Sequence, residues 1–306
     1  MSDTPPSDKR FFAIVNPAAG GGRCGARADE AITRLRAAGL TIDAVRTTRA
    51  GEAVELARDA FLRGERRFLA VGGDGTTHEV VNGMAPLATK QGERPSLAML
   101  PLGTGNSFLR DFDVQGTEAA IRAIIRGAEH PCDLVALSHR AGSLFSINII
   151  GLGFSATVGA LTNRSYKPLG AAGYVVAVVQ TTASLSAPTY PLRLDGGALD
   201  ERAAILLSFC NSRCTAGAMQ MAPRASVSDG ELDVIRIGAM PRRLFLARFP
   251  SIFQGTHVSK PGIEQTRARR VDFAIGHAVD CMVDGEILSL EPQSLEVVPH
   301  ALTVIA

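Results

Sequence analysis

Apolar residues come in short unbroken runs in the first part of the chain and in many strand-length segments in the second. Phe11-Phe12-Ala13-Ile14-Val15, residues 67–71 (apolar after Arg67) and residues 97–102 are runs closed by Asn-Pro or by glycine. Such runs predict strands buried on both faces, as in a parallel sheet. Between them Ala28, Ile32 and Leu35 recur at helical spacing up to Gly39, and a strand over 41–47 and a helix over 52–62 follow. The alternation of strand, glycine turn and helix continues to about residue 130. It predicts a Rossmann-like, three-layer α/β domain whose ligand lies beyond the carboxyl ends of the strands.

After residue 132 the pattern changes. Strands are expected at 133–137, 144–149, 203–209, 232–237, 271–275, 278–283, 295–298 and 302–305, with helices near 171–185 and 242–253. Clustered strands after an α/β half predict a second domain, mainly antiparallel. Residues 168–192 carry no charge, a stretch long enough on count to cross a bilayer. Gly170, Gly173, Gln180, Thr181, Thr182, Ser184 and Pro188 interrupt it, so a buried helix followed by an extended segment is expected instead of a span.

The chain has 306 residues, 46% hydrophobic and 20% charged, which is the composition of a globular protein of about two domains. A formal net charge of +2 lacks the basic excess of a nucleic-acid binder, so no nucleic-acid partner is expected. Five cysteines, an odd number in a chain this large, and an N-terminus without an apolar secretory core point to a reducing cytoplasm. Cys210 and Cys214 form the one close pair and the six histidines are scattered, so small core residues are a better reading than a thiolate or imidazole metal site.

Three glycine-bearing turns each follow a predicted strand: Asn16-Pro17-Ala18-Ala19-Gly20-Gly21-Gly22, Gly72-Gly73-Asp74-Gly75-Thr76 and Pro101-Leu102-Gly103-Thr104-Gly105-Asn106. Glycine lets backbone N–H groups approach phosphate oxygens, and a following helix adds its positive end. No Gly-Lys-Ser/Thr follows the glycines and none has dinucleotide-fingerprint spacing. A carboxylate inside such a loop repels phosphate unless a cation lies between them. Asp74 therefore implies Mg²⁺ or a role in receiving a proton, and the combination suggests phosphoryl transfer.

These loops, with Glu79, Asn82-Gly83, Phe108 and Arg110, resemble the diacylglycerol kinase catalytic-domain family of bacterial lipid kinases and sphingosine and ceramide kinases. The likeness continues through Asn148-x-x-Gly151-x-Gly153-Phe154, Asn211, Pro223-x-Ala225, Asp229-Gly230-x-Leu232-Asp233 and Asp284-Gly285-Glu286. It implies an ATP-binding α/β domain over 1–132, a β-sandwich lipid domain over 133–293, and terminal strands over 294–306 that return to the first domain. Asn16, Gly20, Gly21, Thr47, Gly72, Gly73, Gly75, Thr76, Gly103, Thr104, Gly105 and Asn106 are then the nucleotide-binding candidates. Asp74 and Glu286 are the catalytic ones, Glu286 as general base. Asp133 is a further acid of the substrate and metal network, and Asp229 a ligand of a structural Mg²⁺.

Two features depart from the bacterial pattern. Ser107 stands where an Asp usually follows Gly-Thr-Gly-Asn, and Thr77-His78-Glu79-Val80-Val81-Asn82-Gly83 reads like the sphingosine and ceramide kinase branch. The resemblance implies ATP, Mg²⁺ and a hydroxyl lipid as ligands, with diacylglycerol the leading substrate and a sphingoid base or ceramide the alternative. It also implies peripheral contact at the inner membrane surface from the cytoplasm, and leaves a homodimer open. The glycine-Asp loop alone is shared with NAD kinases, and Ser107 motivates a catalytically silent sensor. Residue by residue, Thr47 or Thr48 serves a phosphate or merely the strand, and Arg110 a phosphate or a surface ion pair. Glu79 is read as bonding backbone near a helix start, and Met219 and Met221 as a lipid-facing surface or core filler.

Overall fold

A computed structural model describes residues 9–103, 106–166 and 169–306 and divides the chain into two compact units. The first comprises the chain through Cys132 together with His300–Ala306. It is built from β1 (Arg10–Val15), α1 (Cys24–Ala37), β2 (Thr41–Arg46), α2 (Glu52–Leu62), β3 (Arg67–Gly72), α3 (Asp74–Gln91), β4 (Ser96–Pro101) and α4 (Gly116–Arg126). The strands pair in parallel in the order β2-β1-β3-β4, and residues 303–305 add a further parallel strand beside β4. In β1, β3 and β4 five of six residues are buried, as their unbroken apolar runs require, whereas edge strand β2 buries only Ile42.

Helix α3 lies tightly on α2. A Cβ at Gly83 would come within 2.4 Å of the Val54 carbonyl oxygen and 2.7 Å of Ala57 Cβ, so only glycine permits this approach. Glu79 of α3 reaches across to cap α2, its carboxylate accepting the Gly51 and Ala53 N–H groups at 3.1 and 3.2 Å. Asn82 Nδ2 donates to the His78 carbonyl one turn earlier at 2.9 Å. Glu79, Asn82 and Gly83 of the segment that resembles the sphingosine kinase branch are thus devices for packing and capping helices.

The second unit spans Asp133–Pro299. Its elements are β5 (Glu129–His139, which starts in the first unit), β6 (Gly142–Ser146), β7 (Ile149–Gly153), α5 (Phe154–Leu161), α6 (Gly170–Thr182), β8 (Leu192–Leu194), β9 (Ala204–Cys210), β10 (Cys214–Thr215) and β11 (Met219–Gln220). They continue with β12 (Leu232–Gly238), α7 (Arg242–Arg248), β13 (Ile263–Ala268), β14 (Arg270–Phe273), β15 (Val279–Val283), β16 (Glu286–Leu290) and β17 (Pro292–Ile305). A six-stranded antiparallel sheet has the order β13-β12-β9-β7-β15-β16. Opposite it, β14 pairs antiparallel with both β8 and β17, and β5 with β6. Val135, Leu152, Phe209, Val271, Val283 and Leu295 fill the space between these sheets as one apolar core. The other face of the six-stranded sheet packs against α5, α6 and α7 through a second core that includes Phe154, Ala177, Val178, Ile235, Phe245 and Met282. Met219 and Met221 are buried members of that core, so they are filler and not a lipid-facing surface.

Three expectations change. The strand expected over 144–149 is broken between β6 and β7, where backbone N–H groups of Ile147, Asn148 and Ile149 turn to a buried carboxylate. The last two expected strands are one strand, β17, whose return to the first unit begins at His300, a residue with positive φ (+49°). Helix α6 is buried on one side only, with Ala177 and Val178 inside and Val176 and Val179 outside.

Candidate active site

In the first unit the three glycine loops lie at the carboxyl ends of β1, β3 and β4 and are joined to one another. Asn16 N donates to the Val71 carbonyl at 2.9 Å, and its side-chain Nδ2 donates to Thr76 Oγ1 at 3.2 Å, linking the first loop to the second. Gly20, with φ +62°, lies where a Cβ would meet the Leu102 carbonyl oxygen at 2.6 Å, bringing the first loop against the third. Gly21 and Gly22 continue in the same left-handed conformation. A Cβ at Gly103 would stand 2.4 Å from Gly73 Cα, so side chains are excluded where the second and third loops touch. Leu102 and Gly103 N–H groups both donate to the Gly72 carbonyl at 2.8 Å.

Asp74 is the first residue of α3, with Gly73 at the cap and Gly75 and Thr76 in the first turn. Its Oδ2 accepts the backbone N–H of Asn106 at 2.8 Å and that of Ser107 at 3.4 Å. The positive end of the helix adds to those two amides. Charge compensation at this acid, for which the sequence leaves Mg²⁺ or a proton-receiving role, is therefore supplied in part by the backbone. Asn106 holds its loop with φ +66° and donates Nδ2 to the Gly103 carbonyl at 2.9 Å. A small cavity lined by Gly72, Asp74, Thr77, Pro101, Asn106 and Phe108 opens at this junction. Thr104 and Gly105 lie outside the described residues.

Thr47 is buried at the end of β2 and its hydroxyl donates to the Val15 carbonyl at 3.5 Å, while Thr48 bonds Glu52 at 2.9 Å. Both hydroxyls serve the ends of β2 and α2. Arg110 occupies the 3-10 turn Phe108–Phe112.

In the second unit the late acidic motif separates into two roles. Asp284 is buried with φ +51°, and its carboxylate accepts Ser146 Oγ at 2.6 Å and the Ile147, Asn148 and Ile149 N–H groups at 3.2, 2.9 and 3.2 Å. Asp284 and Gly285 make the two-residue turn of the β15–β16 hairpin, both with φ above zero. Asn163 Nδ2 donates to the Gly285 carbonyl at 3.1 Å and ties the turn down. Glu286 then opens β16 opposite Val283, exposed and without a hydrogen-bond or ion-pair partner among the described residues. Its carboxylate is carried on a braced turn and is not consumed by it.

Asp133 is fully buried, and its Oδ2 accepts the Gly230 N–H at 2.7 Å. Asn211 Nδ2 donates to the Asp133 and Ile147 carbonyls at 3.0 and 2.8 Å. Asp133 thereby fixes the turn that presents Asp229. The Mg²⁺ implied at Asp229 does not fit the residues in place. Arg267 puts its guanidinium 3.6 Å from Asp229, 3.3 Å from Glu231 and 3.9 Å from Asp233, so a protein cation already stands among these acids. Burial pushes the Asp233 carboxyl up from its ordinary range, against the Gln265 hydrogen bond and Arg267. Among the described residues no group of three His, Cys, Asp or Glu side chains is arranged to hold a metal. Arg267 carries no local signal in the sequence, because its partners are distant along the chain and meet it only through the β12–β13 register, which pairs Asp233 with Arg267. Ser146 likewise has no local signal, since Asp284 lies 138 positions away.

Residues 10–137 match the diacylglycerol kinase catalytic domain, and residues 148–306 match the YegS C-terminal NAD kinase beta sandwich-like domain. A diacylglycerol kinase of Mycobacterium tuberculosis is 29% identical over 97% of this chain and 94% of its own, and one of Bacillus subtilis is 28% identical over 93% and 92%. A YegS-like lipid kinase of Pseudomonas putida is 30% identical over 89% of this chain and 88% of its own. A crystal structure from Bacillus anthracis has the same fold, with a TM-score of 0.79 at 22% identity over 100% of this chain and 98% of that one. The chain carries both domains of these relatives in the same order along nearly its whole length, and it therefore belongs to the diacylglycerol kinase-like family of lipid kinases, which are phosphotransferases.

Proposed function

We propose that this kinase transfers the γ-phosphoryl group of ATP to the hydroxyl of a diacylglycerol, giving phosphatidic acid. The observation that carries the reading is the meeting of three glycine loops at the start of α3, where Asp74 stands, which suits a polyphosphate held by backbone N–H groups and a helix terminus. The first unit then binds ATP and the second the lipid.

A lipid hydroxyl is barely acidic, so its attack on the γ-phosphorus needs an acceptor for its proton. The new oxygen–phosphorus bond forms as the bond to the β–γ bridging oxygen breaks, ADP leaves with those electrons, and Glu286 takes the proton. Glu286 suits this role because its carboxylate has no other partner among the described residues, whereas Asp74 Oδ2 already accepts two amides. Asp74 orders the second and third loops around the phosphates. One loop carboxylate with nucleotide oxygens is a donor set that suits Mg²⁺, which when bound would neutralise charge on the β and γ oxygens.

The test is product analysis. The purified chain is incubated with ATP labelled in the γ-phosphate and with dioctanoylglycerol, sphingosine, ceramide or NAD, and the products are separated by thin-layer chromatography. Label in phosphatidic acid supports the proposal. Label confined to another acceptor, or to none, overturns it.

A further inference from the structure

Helix α6 has an unusual distribution of side chains. The residues it turns away from the six-stranded sheet include Val175, Val176 and Val179, which are 38%, 44% and 56% exposed, and Leu169 just before it is 58% exposed. Ala172, Gln180 and Ala183 complete that exposed stripe at helical spacing. The opposite stripe buries Thr181 and Thr182 beside Ala177 and Val178, so two hydroxyls face inward while three valines face out. The outer face of a surface helix in a globular protein is normally polar or charged. Contiguous exposed apolar surface of this kind marks an interaction site.

The charge around the stripe is one-sided. No Asp or Glu occurs between Asp133 and Asp195, or between Asp233 and Glu264, although the chain carries 30 such residues among 306. Helix α7, which packs in the same layer as α6, presents Arg242, Arg243 and Leu244 to solvent, and Arg164 is exposed before α6. Arg164, Arg242 and Arg243 have no ion-pair partner among the described residues. At 13 residues α6 is roughly 20 Å long by helical rise, and no described helix is long and apolar enough to cross a membrane.

We propose that the outer face of the α6–α7 layer docks flat on an anionic lipid bilayer, with the valine stripe at the acyl boundary and the arginines at the headgroups. A second copy of the chain is the rival occupant, but a two-fold contact through this face would gather the arginines of both copies into one interface to which α6 and α7 contribute no carboxylate. The inference deepens the lipid-kinase reading for its purpose, while its geometry stands on the second unit alone.

Flotation with phosphatidylcholine vesicles, with and without phosphatidylglycerol, tests it on the full chain. Binding is expected only to the anionic vesicles and falls with added salt. The pair Val176→Asp and Val179→Asp, and separately the pair Arg242→Glu and Arg243→Glu, should each lower partitioning at least ~10-fold. Melting temperature and turnover of water-dispersed dioctanoylglycerol should stay at the wild-type value. Unchanged flotation of both pairs overturns the proposal. So does a wild-type dimer in analytical ultracentrifugation that the valine pair converts to monomer, since the stripe is then a subunit seam. Vesicle binding lost in the variants without phosphorylation of any lipid would uphold docking and overturn the proposed reaction. Phosphorylation without vesicle binding would do the opposite.

Discussion

Asp284 accepts the Ser146 hydroxyl at 2.6 Å, a buried contact between residues 138 positions apart that joins the β15–β16 turn to the break between β6 and β7. Three consecutive backbone N–H groups converge on the same carboxylate. Asp284→Ala leaves these donors buried without an acceptor, and a loss of roughly 3–5 kcal/mol is expected. Asp284→Asn keeps one acceptor oxygen and tolerates the positive φ, so it should fall between wild type and alanine. Urea unfolding of the three proteins checks the order.

Glu286, two residues on, should behave in the opposite way. Because it is exposed and unpartnered, Glu286→Gln should leave the urea midpoint unchanged. Turnover should fall by ~10²-fold or more with nucleotide affinity nearly intact, as for an interaction made in the transition state. When chemistry limits the rate, the acidic limb of the pH–rate profile should disappear as well. Its survival in Glu286→Gln and its loss in a residually active Asp74 variant would assign the base to Asp74.

Asp74→Asn keeps one acceptor oxygen for the Asn106 N–H while removing the charge at the head of α3. Activity should drop by ~10²-fold or more, and the melting transition should move little. Retention of full activity would remove Asp74 from the site.

Arg267 standing among Asp229, Glu231 and Asp233 predicts a fold that does not depend on a divalent ion there. Chelation with EDTA should leave the melting temperature of the nucleotide-free protein unchanged. Arg267→Met should cost no more than about 1 kcal/mol, since Arg267 and two of its partners are solvent-accessible. It should also create a melting temperature that rises with Mg²⁺. A chelator-sensitive wild type would show that the guanidinium does not replace the ion.

His257 sets an expected pH dependence. It is buried, with Nε2 3.0 Å from the Met221 carbonyl and Nδ1 without a partner among the described residues, and burial holds its pKa below the ordinary value. Below about pH 6.5 the unfolded chain gains a proton that the folded chain resists, so stability falls as the pH drops through this range. One such group accounts for at most about 1.4 kcal/mol per pH unit. His257→Gln should flatten the difference in unfolding free energy between pH 7.5 and pH 5.5, and an equally steep dependence would exclude His257 as the source.

Local chemistry determined the first unit. Apolar runs such as 11–15 and 68–71 have to be buried on both faces, and the glycines after β3 and β4 allow the close approach seen between Gly73 and Gly103. Those signals occupy a few consecutive residues, so they can be read without knowing the fold. The structural part of Asp284, the place of Arg267 and the outward valines of α6 could not be read in this way. Asp284 looked like half of a turn motif until its partners arrived from β6 and β7, and Arg267 acquired its acids only through the β12–β13 register. On α6 apolar residues lie on both sides, so periodicity could not say which stripe the sheet would cover. Tertiary packing decided it by burying Ala177 and Val178 and leaving Val176 and Val179 in water, because a sheet can cover only one face of a helix laid on it.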